Sequence, residues 1–455
     1  MTLTLNRAKL AEGLLIAFLA FSFAGLMLQV QMLFYAAVVS AFAGLCLGDN
    51  NYRVGLCFML VPNIRLFDGL SVSYLVAVML AFPAVVYIFE SKRVNFKAAA
   101  HVIMLSLWEV IHTIAMNNMH SIFANLGSIM VLYYVECVLV NKDIKLNYSE
   151  IARKFAFGCI FSSAMFMSFY FGKIDLWKYL TTWRLKAFAN DPNYYALYMC
   201  VAIAMLFTIT SKHKVRDYIY IFILVALILF TSSKMGLAVT LLMFIFFAFK
   251  SLLGVTTRRF RFVRRLMIGG LTIATIFSRR ILILIDNTLI RLQEHKGTDV
   301  NIDTITSNRI MIMQFYLGEL VTNIPLLLFG YGFQYNETAQ YYVFSHISHN
   351  TYLDVVLSWG LVGVAMMFVI FFNFIVSMKK NRTEKLGVES FLPLLITGIT
   401  FIALSCLNAS MFWWIICAAL LPLKGRKNEK DAADIGSGSR LQHRKISVKL
   451  HKVSD

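Results

Sequence analysis

Residues suited to chemistry concentrate between Ser307 and Gly363. The stretch carries Ser307-Asn308-Arg309, then Phe329-Gly330-Tyr331-Gly332-Phe333, then His349-Asn350 ahead of the apolar run Thr351 to Val376, which contains Gly360 and Gly363. An imidazole at the mouth of an apolar helix can take a proton from a sugar hydroxyl, since its ordinary pKa is about 6.5. It can equally cap the helix or bond to backbone. His346, three residues earlier, suits either job.

A second set of polar groups shares the loops on the same side of the hydrophobic runs. It comprises Arg184, Lys186, Asp191, Asn193, Lys234, Arg279, Arg280, Arg291 and Arg309. Arginine suits a diphosphate because its planar fork donates two parallel hydrogen bonds. The alternative is snorkelling to headgroups or pairing with Asp286, Glu294, Asp299, Asp303 or Glu319. Arg184 and Arg309 each stand beside other polar signals, which favours ligand binding. Asp191-Pro192 fits a helix start, with Asp as N-cap and Pro at the first position. That leaves Asn193 without a structural reason. Ser232-Ser233-Lys234 fits a short turn between two runs, with Lys234 entering the site or snorkelling. Tyr331, Tyr335, Tyr341 and Tyr342 would stack on sugars.

The glycine-aromatic turn is neither a P-loop nor a Rossmann fingerprint, because its spacing is wrong and no strand precedes it. No acidic pair of the DxD type lies on this side, so a metal-dependent site has no support. Glu109, His112 and Asn117-Asn118 are polar groups at membrane depth, and Glu109 and His112, one turn apart, are placed to pair.

The elements that position these residues are apolar. Of 455 residues, 59% are hydrophobic and 15% charged, against about 25% charged in soluble proteins. Apolar runs recur near 11–28, 30–47, 54–68, 70–89, 99–117, 121–140, 155–173, 193–210, 217–232, 234–249, 266–285, 350–377, 391–406 and 408–423. The third is interrupted by Pro62 and Arg65. The expected fold is all-α, a polytopic integral membrane protein of about 12–14 helices. The net charge of +19 follows topology rather than nucleic acid. Basic residues fill the loops at Lys92 to Lys97, Lys142 to Lys154, Lys212 to Arg216, Lys250 to Arg265 and Lys379 to Lys385. Counted from Arg7 and Lys9, all fall on one side, as the positive-inside rule requires. Both termini are then cytoplasmic. The chain divides into N-terminal spans (1–173), central spans with a short periplasmic loop (174–285, loop 174–192), a large periplasmic loop (286–348), C-terminal spans (349–424) and a basic tail (425–455) expected to be disordered. The seven cysteines are scattered, with no CxxC pair, and suit buried thiols rather than metal or disulfides.

Taken in order, these motifs resemble the O-antigen polymerase and O-antigen ligase superfamily. His349-Asn350, nine residues, then Gly360-Leu361-Val362-Gly363 is similar to its HN-x9-GxxG signature. Arg184 to Asn193 resembles its R…DPN segment. Ser233-Lys234 resembles its Ser-Arg turn, with lysine in place of arginine. Ser307-Asn308-Arg309 with Phe329-Gly330-Tyr331-Gly332 resembles its SGR…fGxG segment, with Asn308 where glycine is common. The likeness covers about 180–375; the earlier spans match only in hydropathy.

The resemblance implies a GT-C-like membrane glycosyltransferase of the bacterial inner membrane. Its donor would be an undecaprenyl-diphosphate-linked oligosaccharide, used on the periplasmic face without metal, cofactor, nucleotide sugar or nucleic acid. A chain-length regulator is an implied partner. Arg184 and Arg309 would grip the diphosphate, and His349 would bind or activate the acceptor hydroxyl. Asn193, Lys234, Asn350, Tyr331, Arg291 and His346 would line the substrate. Polymerase is the leading expectation, with ligase onto lipid A-core and oligosaccharyl transfer to protein as alternatives. A lipid-linked oligosaccharide flippase would instead show broken helices, internal symmetry and charges at the bilayer midplane.

Overall fold

The computed structural model describes residues 2–67, 75–91, 94–115, 122–170, 184–189, 191–209, 215–253, 282, 309–332, 348–380, 386–404 and 411–424. Among these residues every regular element is helical. In chain order they are α1 (Thr2–Leu28), α2 (Gln31–Leu47), α3 (Asn50–Leu60), α4 (Leu75–Ser91), α5 (Phe96–Ala115), α6 (Ile122–Val140), α7 (Tyr148–Tyr170), α8 (Pro192–Phe207), α9 (Val215–Thr231) and α10 (Lys234–Leu253). Then come α11 (Arg309–Thr322), α12 (Ile324–Phe329), α13 (Thr351–Lys380), α14 (Leu392–Phe401) and α15 (Phe412–Leu420). Most coincide with the apolar runs. The run at 266–285 lies outside the described residues apart from Leu282.

Breaks interrupt three stretches. The run at 54–68 is a short α3 that tightens into a 3-10 turn over Val61–Asn63 at Pro62. The segment 309–328 is two helices, because Asn323 caps α12 through the Leu326 N–H at 3.2 Å and Pro325 follows. The long α13 is broken at Gly360, whose φ of 64° and ψ of −169° are not helical.

Two helices, Arg7–Leu28 and Thr351–Lys380, are long and apolar enough to cross a membrane, and several shorter apolar helices accompany them. The second retains 20 residues beyond its break, Leu361 to Lys380, about 30 Å of helix at 1.5 Å per residue. The core centres on α15, which is buried along its length between α6, α8 and α14. Trp414 packs edge-on against Phe58 at 5.7 Å and donates to the Leu80 carbonyl at 3.2 Å.

Hydrogen bonds fix which helix ends lie together. Arg53 at the start of α3 reaches Glu90 at the end of α4 at 2.6 Å and the Leu45 carbonyl of α2 at 2.8 Å. Asn51 receives the Asn147 N–H ahead of α7 at 2.5 Å. Arg153 of α7 forms a two-pronged pair with Asp217 of α9 at 2.7 and 2.9 Å. Tyr148 donates to the Met205 carbonyl near the end of α8 at 3.0 Å. Lys424 donates to the Asn141 carbonyl beyond α6 at 2.9 Å. The ends of α2, α4, α6 and α8 therefore meet the starts of α3, α7 and α9. The loops after α4 and α6, basic in sequence, share this end. The starts of α8, α10 and α13 face the other.

Candidate active site

At that second end two polar clusters form. The first joins three segments. Pro192 opens α8, and Asp191 caps it by accepting the Asn193 N–H at 2.7 Å, as the sequence predicts. This frees the Asn193 side chain for another task. Its Oδ1 accepts from Arg184 Nη2 at 2.8 Å and from Ser233 Oγ at 2.9 Å. Arg184 Nε also donates to the Thr231 carbonyl at the end of α9, at 3.1 Å. The Leu185 N–H donates to the Phe230 carbonyl at 3.0 Å, which ties this segment to the same helix end. Two bonds of different direction thus orient one guanidinium, which stays exposed to the bundle end. The turn from α9 to α10 is tight, with Ser232 at φ 51°. Lys234, the next residue but one, begins α10 and is exposed.

The second cluster surrounds the start of α13. Asn350, not His349, supplies the helix cap: its Oδ1 accepts the N–H groups of Tyr352 and Leu353 at 3.0 and 3.1 Å. Ser348 Oγ accepts the Asn350 N–H at 3.1 Å and lies 2.6 Å from Asp354 Oδ1. Residues 348 and 350 are both pinned, and His349 between them has a left-handed φ of 55°. Non-glycine residues rarely hold that conformation, although histidine is among those enriched there. Nearby, Arg309 Nη1 donates to the Ala403 carbonyl at 3.1 Å, and Thr351 donates to the carbonyl of Leu404. Consecutive carbonyls beyond α14 therefore receive Arg309 and the first residue of α13. The Asn350 amide nitrogen sits 4.0 Å from Met313 Sδ of α11.

Below the second cluster, α12 docks into the break in α13. The Tyr331 N–H donates to the Leu357 carbonyl at 2.6 Å and the Gly332 N–H to the Ser358 carbonyl at 2.8 Å. The break exposes carbonyls that a continuous helix would satisfy internally, and the turn satisfies them. Both glycines are required. Gly360 and Gly330 have positive φ, and a Cβ on Gly360 would strike the Leu328 carbonyl. The Tyr331 side chain packs with the apolar cluster of Ile312, Tyr316, Leu326, Leu353 and Leu357. Burial, with the Asp354 carboxylate nearby, pushes the Tyr316 phenol on α11 up to about 12.

Arg184, Asn193 and Ser233 are thus in direct contact, and Arg309, His349 and Asn350 share the α13 mouth. Lys234 adjoins the first group. Arg291, His346, Ser307, Asn308, Tyr335, Tyr341 and Tyr342 lie outside the described residues. Ser348 and Asp354 were not singled out in the sequence, although a hydroxyl two residues before the cap and an acid in the first turn were a legible signal. Among the described residues no group of three or more His, Cys, Asp or Glu side chains is placed to hold a metal. No protein-family model, no curated protein and no solved structure matches the chain.

Proposed function

We propose that the chain is a polytopic inner-membrane glycosyltransferase of the O-antigen polymerase type. It would transfer a growing undecaprenyl-diphosphate-linked glycan onto the next lipid-linked repeat unit at the periplasmic face. One observation carries the reading: the oriented Arg184–Asn193–Ser233 cluster and the Arg309–His349–Asn350 cluster occupy the bundle end opposite the basic loops after α4 and α6. By the positive-inside rule those loops are cytoplasmic, so the clusters face the periplasm.

In this reaction the acceptor hydroxyl oxygen attacks the anomeric carbon and the bond from that carbon to the diphosphate oxygen breaks. The hydroxyl proton passes to the His349 imidazole. The bonding electrons leave with the diphosphate, whose growing charge Arg184 and Arg309 stabilise. Attack opposite the leaving group inverts the anomeric carbon.

A flippase is the second reading, and two observations favour it. The α13 helix is broken at Gly360, and ionisable groups such as His101, Glu109 and Glu136 are buried within the bundle. The purified protein in vesicles with lipid-linked repeat units separates polymerase from ligase. A ladder of longer lipid-linked products supports polymerase; transfer that waits for added lipid A-core supports ligase.

A further inference from the structure

The helix α5 touches the α12–α13 junction at three points. Trp108 Nε1 donates to the Trp359 carbonyl at 3.3 Å, and Trp359 Nε1 donates to Glu109 Oε2 at 2.9 Å. His112 Nε2 lies 2.5 Å from the Phe329 carbonyl oxygen, and its Nδ1 lies 2.9 Å from the Trp108 carbonyl oxygen. Glu109 and His112, expected from their spacing to pair, each reach a different segment, Trp359 and Phe329. A carbonyl oxygen only accepts, so two carbonyls on one imidazole ask both ring nitrogens to donate. The imidazolium alone does so. The neutral ring would turn a nitrogen lone pair toward one carbonyl. Glu109, one turn earlier on the same helix, is 1% exposed and holds the Trp359 indole. Among the described residues, the other titratable groups around the junction include Tyr331 in the docked turn, Tyr316 on α11 and Asp354 higher on α13.

We propose that Glu109 and His112 are positioning residues. With Trp108 they clamp the Phe329–Gly332 turn into the break of α13, and His112 acts with N–H on both ring nitrogens. The clamp holds the helix segment that begins at His349. Its importance for transfer rests on the glycosyltransferase reading; the clamp itself does not.

Ser358 supplies a reporter. Its side chain is fully buried, its carbonyl receives the Gly332 N–H of the turn, and its hydroxyl has no hydrogen-bond partner among the described residues, so Ser358→Cys is nearly isosteric. Maleimide labelling of Ser358→Cys in membrane vesicles is measured against Val321→Cys on α11, which is 77% exposed. The ratio removes the thiol's own pH response. Between about pH 5.5 and pH 8.5 the ratio is expected to rise by about tenfold, as the doubly donating ring gives up a proton and one carbonyl loses its donor. Adding His112→Ala should keep it high at both pH values. Adding His112→Arg, which donates twice and stays charged, should keep it low at both. A ratio that ignores pH, or His112→Ala that protects Ser358→Cys as well as the parent does, overturns the proposal. If His112→Ala fails to reach the membrane, the parent's pH response and the arginine variant decide. Labelling needs no turnover, so a working clamp without glycosyl transfer would sink the transferase reading alone.

Discussion

His349 and Arg184 are positioned by different means. His349 is held by its neighbours: Ser348 and Asn350 bind around it, and its own backbone takes a left-handed φ of 55°. Arg184 is held by its own side chain, through Asn193 and the Thr231 carbonyl. Arg184→Lys keeps the charge but cannot make both bonds, so it is expected to lose nearly as much turnover as Arg184→Ala, as product formation would show. His349→Ala should lower turnover roughly 100- to 10,000-fold, the range for a general base, with membrane expression unchanged. Equal activity of His349→Ala and parent would remove that assignment. The sequence made Arg184, Asn193 and Arg309 legible as a cationic set with an unexplained amide. It could not show that Asn193 joins Arg184 to Ser233, because Ser233 lies 40 residues further along the chain.

At the scale of elements, hydrophobic length located the helices from α4 to α10 within about five residues, except that α7 begins at Tyr148 rather than near 155. The Asp191 cap and its Pro192 were readable for the same reason: both are local chemistry. The break in α13 was not, because its cause is the approach of α12. Gly360 in an apolar run reads as a tolerated small residue until the Leu328 carbonyl is found against it. Gly360→Ala is expected to undock the Phe329–Gly332 turn, abolish turnover and lower the thermal midpoint in detergent; a midpoint and activity equal to the parent's would contradict the docking. The Arg153–Asp217 pair offers a contrast at the other end of the bundle. Both partners are buried, so Asp217→Ala takes a two-pronged carboxylate from a buried guanidinium and should cost about 3–5 kcal/mol of stability, measured by denaturant titration. Turnover per folded molecule should not change.

Across the whole molecule, the basic stretches and the inter-helix polar pairs gather at the same helix ends. Loop charges put Lys92 to Lys97 and Lys142 to Lys154 on one side. Side-chain bonds such as Arg53 to Glu90 and Asn147 to Asn51 gather the flanking helix ends at one pole. The candidate site lies at the other pole. The clustering of basic residues was legible because it is a matter of composition, whereas the inter-helix polar pairs depend on packing that composition does not encode. The same division makes the transferase and flippase readings separable. The decisive measurement gives the purified protein in vesicles an undecaprenyl-diphosphate-linked repeat unit. Longer lipid-linked glycans are expected, and His349→Ala is expected to lose them. No longer product, together with movement of the lipid-linked sugar across the bilayer, would contradict the transferase reading.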